Sequence, residues 1–113
     1  MSRHVPDLAA AEERLVCLST SHYTVEDDAA LANMARDDLH ETPPLIVYPI
    51  EGSGFLLPVY YHWLKEPGKW ERIESAVSPM FARNLRKVIE RGYEWVLFDK
   101  DGPLVEELED VNW

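Results

Sequence analysis

The sequence predicts an α+β fold: a two-layer sandwich with a ferredoxin-like β-α-β-β-α-β order, in which a mostly antiparallel four-stranded sheet carries two helices on one face. Three observations lead there. Short apolar runs rich in Val, Leu, Tyr, Trp and Phe recur between turn residues, as strands do. Two segments repeat apolar residues at helical spacing behind good N-caps. The elements alternate in the order of a split βαβ unit, and each amphipathic stripe needs a face to bury.

The first strand is Leu15 to Ser19, whose nearly uniform apolar character suggests burial on both faces and a central place in the sheet. The first helix starts at Thr24, an N-cap with Asp27 three residues on and Glu26, Asp27 and Asp28 at the positive end of the dipole. It is expected to reach about Leu39, with Leu31, Met34, Ala35 and Leu39 on one stripe. Pro43-Pro44 ends it. Leu45 to Tyr48 and Phe55 to Tyr61 read as a hairpin around Glu51-Gly52-Ser53-Gly54. Pro49 and Pro58 cannot donate to a ladder, so they should face away from a neighbour or sit at bulges.

Residues 62–77 carry the weakest pattern, with a Pro67-Gly68 turn and a turn or two of helix over Trp70 to Ala76. Ser78-Pro79 opens the clearest helix, in which Phe81, Leu85, Val88 and Ile89 share a face and Gly92 closes the end. Glu94 to Phe98 is the fourth main strand. Asp99 to Pro103 is a turn, and Leu104-Val105 starts a last short strand.

With 113 residues, the chain has the size of one domain. Residues 1–13 read as a flexible arm and 14–113 as a single α+β domain with an acidic C-terminal tail. The N-terminus lacks a signal-peptide core and no stretch approaches a membrane span, so the cytoplasm is the expected location. Cys17 stands alone, which excludes an internal disulfide and offers no metal framework. His4, His40 and His62 show no ligand spacing. No metal and no cofactor is expected.

Twenty-one acidic residues against eleven Lys and Arg give a net charge of −10. That opposes direct binding to nucleic acid and suits solubility, a basic protein partner, or both. Asp99-Lys100-Asp101-Gly102 lacks the remaining ligands of a calcium loop and reads as an Asp-Gly turn. The basic stripe Arg83, Arg86, Lys87 and Arg91 reads as a solvated helix face turned toward the acidic tail.

No residue set forms a catalytic constellation. Ser19, Thr20, Ser21 and His22, hydroxyls and an imidazole at a strand end, are the candidate ligand site. Because the first and last strands are expected to run antiparallel, His22 should not meet Asp99 or Asp101. Tyr60, Tyr61, Trp63 and Trp70, with Glu106, Glu107, Glu109 and Asp110, are the candidate partner-binding residues, since clustered aromatics and surplus charge mark interfaces. The expected role is a non-enzymatic acidic protein-interaction domain, with an inhibitor of a nucleic-acid-binding host protein as its sharpest form. The alternative is a small-ligand or minor catalytic domain built on Ser19–His22. An uncovered sheet face also offers a route to a homodimer.

Leu18-Ser19-Thr20-Ser21-His22, Val47-Tyr48-Pro49-Ile50-Glu51 with Gly54-Phe55, Gly92-Tyr93-Glu94-Trp95, Phe98-Asp99-Lys100-Asp101-Gly102-Pro103 and the closing Trp113 together resemble a family of small bacterial proteins of unknown function carried on integrative elements, plasmids and phages. The resemblance spans about residues 15–113, with residues 62–77 longer than expected for the family. It implies a mobile-element origin and transfers no activity.

Overall fold

The computed structural model describes Leu8, residues 12–36 and residues 38–111. Most of the expected arm, and Trp113, lie outside these residues. The chain runs β1 (Leu15–Ser19), a 3-10 turn (Thr20–His22), α1 (Val25–Met34), β2 (Tyr48–Ile50), β3 (Gly54–Pro58), a 3-10 turn (Tyr61–Leu64), α2 (Lys69–Ala76), α3 (Pro79–Glu90) and β4 (Trp95–Asp99). The fold is α+β, with a four-stranded mixed sheet and three helices.

The sheet order is β1-β4-β3-β2. β4 pairs antiparallel with β3, and β3 with β2, but β1 pairs in parallel with β4. Two expectations are corrected here. β1 is an edge strand, and its apolar run reflects two apolar sheet faces rather than a central position. The first and last strands run in the same direction, so Ser19 lies directly opposite Asp99. The crossover from β1 back to β4 passes through the helical layer, which permits parallel pairing.

Local boundaries follow from caps. The Thr24 hydroxyl accepts from Asp27 N–H and the Asp27 carboxylate accepts from Thr24 N–H, a complete capping box. α1 stops at Met34, short of Leu39, where Arg36 turns to chelate Asp38. Acidic side chains oppose the negative end of a helix dipole, and Leu39 is exposed. Leu45 and Val47 are buried without joining a strand, so pairing starts later than expected, at Tyr48. Leu104-Val105 forms no strand.

Within 62–77, α2 starts after Gly68 at φ +79° and buries Trp70 and Ile73. Ser78 caps α3, Pro79 takes its first position, and Gly92 at φ +84° ends it in the left-handed region that glycine tolerates.

The two faces of the sheet differ. Leu18, Leu57, Val96 and Phe98 point into the core, where they join Leu31, Ile73, Phe81, Leu85 and Ile89 from all three helices. Tyr23, Phe81 and Phe98 meet pairwise at centroid distances of 5.2–5.6 Å in tilted and edge-on geometry. The buried Asp27 carboxylate also accepts from Ser78 N–H and Oγ–H at 2.6 Å, which ties the start of α1 to the start of α3.

Candidate functional site: an open sheet face beside a locked C-terminal strap

The other face of the sheet carries the residues of opposite parity. Register sets them in rows. Leu15, Trp95 and Pro58 form one row, Cys17, Leu97, Leu56 and Tyr48 the next, and Ser19, Asp99, Gly54 and Ile50 the last. Tyr60 continues the parity of β3 on extended backbone, with Val59 between them buried. No described helix covers this face. Leu15 and Tyr48 are each 49% exposed and Ile50 38%, whereas Cys17, Leu56 and Leu97 are half-buried and Ser19 and Pro58 buried. Contiguous apolar surface left open in this way marks an interaction site.

Carboxylates flank it. The Glu13 carboxylate accepts from the Trp95 indole N–H at one end. Asp99 stands at the other, and Glu51 lies exposed in the hairpin turn. Cys17 lies in the middle row. Burial, and then the negative charge of Asp99, push its thiol above the usual range. A protonated thiol is a poor nucleophile, so Cys17 serves here as an apolar element of the surface.

The Ser19–His22 segment is built differently from a ligand loop. Ser19 Oγ accepts from Ser21 N–H at 3.0 Å as a cap. His22 is fully buried. Its Nε2 accepts from Val105 N–H at 3.0 Å, which makes Nδ1 the protonated nitrogen, donating to the Glu109 carbonyl at 2.8 Å. Asn84 is buried beside it. Its Nδ2 donates to the carbonyls of His22 and Glu109, and its Oδ1 accepts from Glu109 N–H, all at 2.9 Å. Sequence reading missed Asn84, and its polarity inside the apolar stripe of α3 was the available signal. The parallel β1–β4 pairing brings His22 to the end of the sheet where Asp99 stands, yet the imidazole is spent on residues 105 and 109.

Residues 103–111 therefore form a strap across α3. Pro103 O accepts from Ser19 N–H, Leu108 is buried, and Val111 N–H donates to Ser21 O. The expected meeting of basic stripe and acidic tail is present. Arg83 binds Glu109 through two bonds at 2.6 and 2.8 Å, Arg91 binds Glu107 at 2.6 Å, and Lys87 Nζ donates to Glu107 O at 2.9 Å. The Arg83 guanidinium holds the Glu109 carboxyl below the usual carboxylate range and is itself pushed up. Two of the four candidate tail carboxylates are thus neutralised within the chain, and Glu106 and Asp110 stay exposed.

The aromatic stretch divides. Trp63 and Trp70 are buried, under Lys69 at 4.6 Å and Arg86 at 6.0 Å respectively. Tyr60 packs edge-on against Trp63 at 5.1 Å, and Tyr61 is 55% exposed. Among the described residues, no group of three His, Cys, Asp or Glu is placed to hold a metal ion. No helix among them is long and apolar enough to cross a membrane.

Over residues 15–113 the sequence matches the family described as "Family of unknown function (DUF5983) C-terminal domain". No curated protein and no solved structure matches the chain.

Proposed function

The chain belongs to this DUF5983 family, whose function is unknown, and from that premise we propose that it is a non-enzymatic protein-interaction domain that docks a basic partner on its open sheet face. The observation that carries the reading is the pairing of an apolar face, with Cys17, Leu56 and Leu97 half-buried at its centre and Leu15, Tyr48 and Ile50 exposed around them, with an acidic border at Glu13, Asp99 and Glu51. A partner that fits has an apolar patch rimmed by Lys or Arg.

Charge supports a different protein rather than a second copy. Two copies at −10 each repel on approach. Most cations of the described residues are already engaged, Arg36, Arg83, Arg86 and Arg91 with carboxylates and Arg14, Lys69, Arg72 and Lys87 with backbone carbonyls. The surplus that faces solvent is therefore anionic, and Glu106 and Asp110 extend it beyond the sheet. The sharper form of the proposal is an inhibitor that occupies the basic groove of a nucleic-acid-binding host protein, as a mobile-element product would. Tyr60 belongs to this surface by parity, and Tyr61 borders it.

A photo-crosslinking amino acid at position 97 of the full chain tests the reading in bacterial lysate. The expected result is one protein captured in stoichiometric yield, whose binding, remeasured with the purified pair, weakens with salt and falls at least tenfold in Leu97→Arg. Binding that survives Leu97→Arg, or capture of no protein, overturns it.

A further inference from the structure

We propose that the outer edge of β1 is an acceptor for an extended peptide, which adds to the sheet as a fifth strand and seats one aliphatic side chain under the C-terminal strap. This rests on backbone groups and a pocket, not on the side chains of the open face.

The direction of each backbone group follows from the bonds at the strand ends. Val59 N–H donates to Glu94 O and Lys100 N–H to Ser53 O, so even-numbered residues of β4 face β3. Trp95 N–H donates to Arg14 O, so odd-numbered residues of β4 face β1, and even-numbered residues of β1 face β4. In a ladder, alternate residues turn their N–H and C=O the other way. Leu15 and Cys17 therefore direct both backbone groups outward. Ser19, of the same parity, shows what that direction offers, because its N–H is taken by Pro103 O at 2.9 Å. For Leu15 and Cys17 no partner of this kind exists among the described residues.

The opposite edge is guarded. β2 has only three residues, and Pro49 turns its ring toward the free side, a standard defence against unwanted pairing. β1 has five residues and no proline. The strap covers this edge only at Ser19, and the outward groups of Leu15 and Cys17 offer a template for another strand.

A pocket lies on the core side of the same edge. It is lined by Val16 and Leu18 of β1, by Val88 and Tyr93 around the end of α3, and by Val105 and Leu108 of the strap, and holds about 140 Å³. Apolar cavities of about 150 Å³ admit benzene, so the space suits one Leu, Ile, Met or Val side chain. A strand paired to β1 points alternate side chains to the core side, the side on which Val16 and Leu18 line this pocket. Lys87 and Arg91 also line it, and Arg14 stacks on Tyr93 at 4.4 Å. The pocket lining holds two cations to the one anion Glu107, an excess of one positive charge on a chain of charge −10. The fitting occupant is thus an extended segment of another protein, with an aliphatic anchor beside an Asp or Glu.

The test is selection of a displayed random seven-residue peptide library on the immobilised full chain. The expected peptides share one aliphatic residue flanked by β-formers and an acid. Their binding slows amide exchange at Leu15 and Cys17. Cys17→Pro and, independently, Leu15→Pro remove an outward N–H while leaving the ladder to β4 intact, and each is expected to weaken binding at least tenfold. Val105→Trp, which fills the pocket from the strap, does the same. Leu97→Arg changes only the open face and leaves peptide binding unchanged, so this proposal and the open-face reading fail separately. Absence of enriched peptides, protection at other amides, or equal binding by folded Cys17→Pro and Leu15→Pro overturns the proposal. So does a dimer of the chain that Cys17→Pro dissolves, because the edge then belongs to a second copy.

Discussion

His22 Nδ1–H donates to the Glu109 carbonyl at 2.8 Å, joining residues 87 apart in sequence. With Val105 N–H on Nε2, this bond fixes both the tautomer of the ring and the position of the strap. Nitrogen-detected NMR is expected to show one bare Nε2 and one protonated Nδ1. His22→Ala leaves the Val105 amide without its partner and the Glu109 carbonyl with Asn84 alone, and the expected loss is about 1–3 kcal/mol in denaturant unfolding. Amide exchange at residues 105–111 should accelerate in the same variant.

Asn84 holds the same strap from the helix side. Asn84→Leu keeps the volume and removes three hydrogen bonds around Glu109 and His22. The expected result is a destabilisation of about 2–4 kcal/mol, because buried acceptors and a donor lose their partners. Asn84→Asp should be comparably harmful, since a carboxylate cannot donate to the two carbonyls.

Asp27 is a buried carboxylate that serves two helix starts at once. Asp27→Ala removes its bonds to Thr24 and Ser78 together, and thermal unfolding is expected to report a loss of about 2–3 kcal/mol. Asp27→Asn keeps one acceptor oxygen and should lie between the wild type and the alanine variant.

The Arg83–Glu109 pair sets a direction for pH dependence. Its carboxyl is held below the usual range. The stabilisation is therefore present above the ordinary carboxylate pKa and is lost as pH falls through the lowered folded-state value. In Glu109→Gln, that acid-limb component of the stability curve should disappear, while the backbone bonds of residue 109 to His22 and Asn84 persist.

Cys17 should react slowly with a disulfide reagent at neutral pH, because burial and Asp99 both disfavour the thiolate. Asp99→Asn removes one of those causes and should raise the reaction rate at a fixed pH. An unchanged rate would mean that burial alone governs the thiol.

Much of the local structure was legible in the sequence. Thr24 with Asp27, Ser78 with Pro79, and Gly92 announce helix ends through hydrogen bonds that span three residues. Phe81, Leu85, Val88 and Ile89 announce a buried helix face through spacing alone. The facing of Arg83 and Arg91 to the acidic tail was also foreseeable from charge. Such features depend on neighbours along the chain, so the chain itself determines them.

What only the tertiary structure decided depends on partners far apart in sequence. The parity of Leu15, Cys17, Trp95 and Leu97 is visible in the sequence, but an apolar residue on either face of a strand reads alike. Only the packing of α3 against Leu18, Val96 and Phe98 settles which face is buried and which stays open. The same holds for β1. Its apolar run suits a central strand or an edge strand equally, and β1 is an edge because β4 is its one partner among the described strands. His22 and Asn84 carry polar atoms whose satisfaction waits on the strap, some 25 to 87 residues away. Pairing and burial are properties of two segments at once, and one segment's sequence holds only half of each.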